Sequence, residues 1–235
     1  MRESLSFDIY YQKKINIRDY SLDGIEALAR FKDENGNYLN TENSINYLKQ
    51  QIGDQCFTYI VIKKIFSDID SIPKDKIPNI SINITASEVE DAYFKLWINN
   101  LFVNREWCIE KFEFEINEKC KIKNKERFLD GLIFLKSSGF KISLDDLGKD
   151  FNTIDMIYKY PFDKIKIDKS LLIKYKNKPK YLKTLFDKIH SLDMLVVVEG
   201  VEDKFTFEFV KNINCDIVQG FYFSMPEPFN KLYLW

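Results

Sequence analysis

Short runs in which apolar and polar residues alternate, or in which apolar residues stand unbroken, recur along the chain between longer stretches with apolar residues three and four apart. Period two is the strand signal and period 3.6 the helix signal. Strands are predicted at Phe7–Gln12, Gly24–Phe31, Ser81–Thr85, Phe112–Glu118, Lys141–Leu144, Asp163–Ile167 and Met194–Glu202, with a short one leading to Gln219. Helices are predicted at Glu42–Gln51, Gln55–Ile69, Ala86–Leu101, Glu126–Ser138, Phe151–Tyr160, Pro179–Leu192 and Asp203–Asn212. Gly139 suits the C-cap of the fourth helix, and Glu34-Asn35-Gly36-Asn37 is a turn signal. Strands alternating with helices over this length are the pattern of a parallel α/β barrel.

The strand ends carry the chemistry. Lys141–Leu144 runs straight into Asp145-Asp146, and the next strand places Lys166 beside Asp168. An aspartate at a strand-to-helix junction is often only an N-cap. A cap accounts for one of these acids, not for two and a lysine in the following strand. Adjacent carboxylates at a buried strand end are costly unless a cation or hydrogen bonds satisfy them. FEFEINE puts Glu113 and Glu115 on one face. The plain reading is an antiparallel strand whose face meets water. A lone asparagine such as Asn83 in a strand commonly marks a bulge or turn. Asn83, Glu115, Asp145, Lys166, Glu199 and Gln219 each lie in or at the end of a different predicted strand, and in a parallel barrel those ends share one face.

Composition narrows the chemistry. The 235 residues fit one domain, and 45% hydrophobic residues with 20 Phe and 13 Tyr are ample for one core. Net charge is −1, which gives no footprint for long nucleic acid. With a single histidine, His190, expected at the surface, any metal must rest on oxygen ligands, which points to Mg²⁺ or Mn²⁺ rather than zinc. Cys56, Cys108, Cys120 and Cys215 form no C-x-x-C pair and read as buried, reduced thiols. No signal peptide opens the sequence and no apolar run has the length of a membrane span, so a cytoplasmic protein without membrane insertion is expected.

Taken in order, the motifs are Glu26-Ala27-Leu28 with Arg30, Asn83 two residues before Thr85, Glu115 with Glu118, Asp145-Asp146, Lys166-Ile167-Asp168, Glu199-Gly200-Val201-Glu202, and Gln219-Gly220 followed by Pro226. Gln12 precedes them all. This series resembles the EAL-domain phosphodiesterases, which hydrolyse the bacterial messenger cyclic di-GMP, and it covers the chain from Gln12 to Pro226. The resemblance implies one EAL-type domain over residues 1–235, folded as a TIM-like (β/α)₈ barrel with an irregular or antiparallel first strand. It implies a two-metal site for Mg²⁺ or Mn²⁺, with Glu26, Asn83, Glu115 and Asp145 on one ion and Asp145, Asp146 and Glu199 on the other. Glu199 would also serve as base, Lys166 would contact the attacking water, Glu118 would brace the loop after Asp146, and Glu202 would support the site. Gln12, Leu28, Arg30, Gln219 and Pro226 would meet the substrate.

The implied activity is hydrolysis of cyclic di-GMP to linear pGpG, in a homodimer and with no attached sensory domain. The departures gather in one loop. Leu147 stands where the family has phenylalanine, Lys149 where it has threonine and Asp150 where it has glycine. In the family this loop couples the metal site to the dimer contact, and degenerate versions can be weakly active or inactive. The rival class is therefore a non-catalytic module that binds cyclic di-GMP or a protein partner.

Overall fold

In the computed structural model, residues 6–117, 121–147 and 154–232 are described. The chain runs β1 (Ser6–Asn16), β2 (Leu22–Lys32), α1 (Thr41–Ile52), α2 (Asp54–Ile69), β3 (Ile80–Ile84), α3 (Ala86–Val89), α4 (Phe94–Phe102), β4 (Phe112–Asn117), α5 (Lys125–Ser137), β5 (Lys141–Leu147), α6 (Ile154–Lys159), β6 (Lys164–Ile167), α7 (Lys169–Tyr175), α8 (Pro179–His190), β7 (Leu195–Val198), α9 (Lys204–Asn212), β8 (Ile217–Gln219) and the two-residue β9 (Glu227–Pro228). Strands β2 to β8 pair in sequence order, all parallel, and β1 closes the circle by pairing antiparallel with both β8 and β2. The result is a closed eight-stranded barrel, with β9 added outside along β1.

The reversed first strand follows from chain length. Only residues 17–21 separate β1 from β2, whereas a parallel connection needs a crossover of a dozen or more residues. A hairpin is the only closure available. Its register slips between Lys14 and Ile15, so the expected irregularity and the antiparallel direction both occur.

Alternation along each strand separates two environments. Ile80, Ile82, Phe112, Phe114, Ile142, Leu144, Ile165, Val196 and Val198 point outward, where helices bury them. Their neighbours point into the lumen: Glu26, Ser81, Glu113, Glu115, Ser143, Asp145, Lys164, Lys166 and Gln219 are all buried. Glu113 and Glu115 are 2% and 0% exposed, so their face meets the lumen and not water. Gly220 is required by a close approach, because a Cβ there would sit 2.1 Å from the Val201 carbonyl oxygen.

Four expectations need correction. The helix predicted over Ala86–Leu101 is two, because Asp91 accepts a hydrogen bond from the Tyr93 N–H and turns the chain before α4 restarts it. An additional helix, α7, follows β6 with Asp168 as its N-cap. Cys56 is exposed, while Cys108 and Cys215 are buried; Cys120 lies outside the described residues. His190 is half-buried rather than free at the surface, with its Nε2 2.6 Å from Asp216 Oδ2. Asp216 also accepts from the Val196 N–H, so the pair braces β7 against β8.

Phe112 carries much of the outer layer under β4, with its ring centroid 5.0 Å from that of Phe102 and 5.7 Å from that of Phe66. Phe112→Ala should lower unfolding free energy by about 3–5 kcal/mol through lost burial and the cavity left behind. Urea denaturation monitored by tryptophan fluorescence measures this, and a loss under about 1 kcal/mol would mean the site collapses around the gap.

Candidate active site

Lys166 stands at the centre of the lumen. Its side chain is 1% exposed, and its Nζ lies 2.5 Å from Glu115 Oε2, 2.7 Å from Glu199 Oε1, 3.0 Å from Asp145 Oδ1 and 3.8 Å from Glu26 Oε1. These carboxylates come from β4, the end of β7, β5 and β2, all parallel, so their carboxyl ends bring the side chains to the same mouth. One ammonium faces four carboxylates. The excess negative charge calls for a further cation.

Hydrogen bonds hold the ring in place. Glu26 Oε1 accepts from Asn83 Nδ2 at 3.1 Å and Oε2 accepts from Gln219 Nε2 at 2.6 Å. Gln219 also donates to Gln12 Oε1, and Gln12 donates to the Ser224 carbonyl. Because Asn83 gives its N–H to Glu26, its amide oxygen is left to serve as an acceptor or a metal ligand. Asp146 has φ of 66°, in the left-handed region, and its Oδ2 accepts from Asn117 Nδ2 at 2.6 Å. Asn117, at the end of β4, is thus a positioning partner of Asp146 that the sequence analysis did not single out.

Burial sets the electrostatics. It pushes the Glu199 carboxyl up to about 8 and the Glu26 carboxyl up to about 7, against the pull of Lys166. Burial raises Asp145 as well. For Glu115 burial works the same way, but Lys166 and Lys14 outweigh it and hold the carboxyl below its usual range. Burial opposes the charge on Lys166, yet Asp145, Glu115, Glu199 and Glu26 together hold the ammonium charged well past its ordinary range.

The donor set fits a hard divalent cation. Asp145, Asp146 and Glu199 each bring a carboxylate oxygen within 4.8 Å of the others. Asp145 Oδ1 is buried and meets Lys166 Nζ at 3.0 Å. An all-oxygen trio of carboxylates suits a hard divalent cation. Beside it opens a cleft of about 270 Å³ lined by Gln12, Glu26, Leu28, Asp145, Glu199, Glu202 and Gln219, with Gly200, Gly220 and Phe221.

The other predicted positions divide. Glu115 and Lys166 lie beneath the cleft, and Asn83 reaches it through Glu26. Glu202 is at the rim, paired with Lys169 at 2.6 Å. Arg30 lies on the same face of β2 as Glu26 and Leu28, with Nη1 on the Ala29 carbonyl, but does not line the cleft. Pro226, ahead of β9, does not line it either. Glu118 and loop positions 148–153 lie outside the described residues. The sequence reading passed over Lys14, Asp23 and Lys164, although Lys164 stands two residues before Lys166 and so on the same face of its strand.

A parallel barrel with an acid-and-lysine ring at its carboxyl mouth is an enzyme-like scaffold, and the chain belongs to the EAL-domain family, whose model matches residues 1–226. A curated relative, the cyclic di-GMP phosphodiesterase RocR of Pseudomonas aeruginosa, is 25% identical over 234 residues, covering 94% of this chain and 58% of its own. The crystal structure of an EAL domain protein from Listeria monocytogenes is 27% identical, with a TM-score of 0.81 over 96% of this chain and 90% of that one. Klebsiella pneumoniae BlrP1, solved as a manganese and cyclic di-GMP complex, shares the fold at 19% identity and a TM-score of 0.76, over 94% of this chain and 56% of that one. The chain spans 28%, 29% and 30% of the length of three other curated relatives. Among the described residues no helix is long and apolar enough to cross a membrane.

The raised carboxyls give a pH signature. Both Glu26 and Glu199 sit above their unfolded value of 4.5, so the stability they contribute is complete below that pH and is lost as pH rises through about 7 and 8. In chelator, thermal stability should fall between pH 6 and 9. A cation that binds the ionised carboxylates should reverse the loss, so added Mn²⁺ should raise Tm more at pH 8.5 than at pH 6. Calorimetric scans check this; a Tm in chelator that stays flat from pH 6 to 9 contradicts it.

Proposed function

We propose that this chain hydrolyses cyclic di-GMP to linear pGpG at the lumen mouth, using Mg²⁺ or Mn²⁺ held by Glu26, Asn83 Oδ1, Glu115, Asp145, Asp146 and Glu199. The observation that carries the reading is the convergence of four carboxylates from four strands on Lys166, beside the oxygen trio of Asp145, Asp146 and Glu199. Support also comes from relatives named as cyclic di-GMP phosphodiesterases and from the manganese complex of a protein with the same fold. When bound, two divalent ions supply Lewis-acid polarisation of the phosphodiester and a deprotonated water near neutral pH.

This chain's own groups do the rest. The Lys166 ammonium, fixed by Glu115 from one side, orients the attacking water and offsets the charge gathering on the phosphoryl oxygens. Glu199, whose Oε1 lies 2.7 Å from Lys166 Nζ, takes the water proton at its carboxylate. The phosphorus–oxygen bond on the far side of the attack breaks, which opens the ring and leaves a terminal phosphate. Gln12, Leu28 and Gln219 line the path of the dinucleotide. Arg30 lies beyond them and, once freed from the Ala29 carbonyl, can fork onto a phosphate in a way lysine cannot.

Purified protein incubated with cyclic di-GMP and Mn²⁺, followed by chromatography, should yield pGpG, and excess chelator should abolish the product. Lys166→Ala should lower kcat by about 10²–10⁴-fold while much of the affinity for cyclic di-GMP survives, because its contribution falls mainly in the transition state. Undiminished turnover in chelator would rule out the metal reading.

Lys149 and Asp150 favour a second reading, a module that binds the nucleotide without cleaving it. Asp150 adds a carboxylate in the loop where the family has glycine, shortly after Asp145 and Asp146 in the chain. Restoring the family residues with Lys149→Thr and Asp150→Gly should raise turnover by about tenfold or less, equivalent to roughly 1.4 kcal/mol of barrier. Protein that binds cyclic di-GMP yet stays inert before and after this reversion is a binding module.

A further inference from the structure

A second lysine lies under Glu115. Lys14 of β1 is 1% exposed, and its Nζ lies 3.2 Å from Glu115 Oε1 and 3.4 Å from Glu113 Oε1. Glu113 Oε2 in turn meets Lys164 Nζ at 2.9 Å, and Lys164 reaches Asp23 Oδ2 at 2.7 Å. Charges therefore alternate along the lumen from Asp23 through Lys164, Glu113, Lys14 and Glu115 to Lys166. Barrel lumens are ordinarily filled with branched apolar side chains. Here Val197 and Ile217 are buried but stand outside the main apolar cluster, as inward neighbours of this ionic column.

Stability does not explain such a column, since buried ion pairs seldom outdo apolar residues of the same volume. Geometry does. Both oxygens of Glu115 are taken by lysines, Oε1 by Lys14 from below and Oε2 by Lys166 from the mouth side. Without Lys14, Lys166 would be the one cation among the described residues that contacts Glu115, and it would be drawn toward both oxygens, away from Asp145 and Glu199. We infer that Lys14 is a positioning residue: it anchors Glu115 Oε1 so that Oε2 faces the mouth as a single-oxygen metal ligand and Lys166 stays shared among the carboxylates. This rests on the reading of Glu115 as a metal ligand given above.

The test measures binding of Mn²⁺ alone, by titration calorimetry, to the wild type, to Lys14→Met/Glu113→Gln and to Glu113→Gln. The double substitution removes one charge of each sign, so Lys164 keeps Asp23 and Glu115 keeps Lys166. Relative to Glu113→Gln, the double variant loses one positive charge near the cation site, which by itself would tighten cation binding. Weaker binding therefore reports lost orientation. The double variant should fold and bind Mn²⁺ about tenfold or more weakly, the usual cost of removing an outer partner of a ligand. Glu113→Gln, which leaves Lys14 on Glu115, should bind as the wild type does. If the methionine variant does not fold, Lys14→Ile/Glu113→Gln, with a β-branched residue suited to a strand, takes its place. Wild-type affinity in the folded double variant overturns the assignment, and so does a loss in Glu113→Gln as large as in the double variant. A wild type that binds no Mn²⁺ overturns the metal reading along with it.

Discussion

A charged ammonium buried in the middle of a sheet barrel is the constraint to which the rest of this molecule answers. Lys166 has no water to solvate it, so carboxylates must come to it, and they come from four strands. Those carboxylates in turn must stay ionised against burial, which one lysine does not achieve for all of them. Glu26 and Glu199 are left with raised proton affinity, while Glu115, touched by two lysines, is not. The site is thus short of positive charge by construction. A divalent cation is the natural complement.

The same constraint reaches down the lumen. A closed barrel has no edge strand to protect, and helices cover its outward face, where most of the apolar alternation is buried, while Val197 and Ile217 turn inward. Most of the remaining inward positions carry charge in place of the usual apolar filling, with lysines set against carboxylates. Ser81 and Ser143 take the small positions, and lysines meet glutamates at the large ones. Because each member touches a neighbour from another strand, strand register and site geometry are tied together. A slip of one residue would turn every lumen charge into the apolar layer.

At the mouth, backbone geometry completes the arrangement. The β5–β6 register shifts between Leu144 and Leu147, and within that irregularity Asp146 takes a positive φ. Aspartate tolerates this conformation better than most residues, and Asn117 from the neighbouring strand receives its carboxylate. Two consecutive aspartates, which in a regular strand would face opposite sides, can then both supply an oxygen to the cluster with Glu199. Strain of this kind collects at functional sites because the surrounding sheet over-determines it.

What the sequence determined was the period. The alternation of FEFEIN, KISL and KIKI marks strands, and the helical stripes lie between them. In the sequence the reversed first strand rests on the family resemblance alone, because the short link over residues 17–21 is defined by the folded strands. Motif order identified the family and picked out Glu26, Asp145, Lys166 and Glu199, which the fold brings together. What the period leaves undecided is which side of a strand is wet. By alternation alone Glu113 and Glu115 read as a solvent-facing stripe, and closure of the sheet put them in the lumen instead. Closure also decided that Lys14, 99 residues from Glu113 in the chain, would lie beside it. Periodicity is a local property of neighbouring residues, whereas the pairing of charges across a barrel depends on strand tilt and stagger, which no single strand encodes.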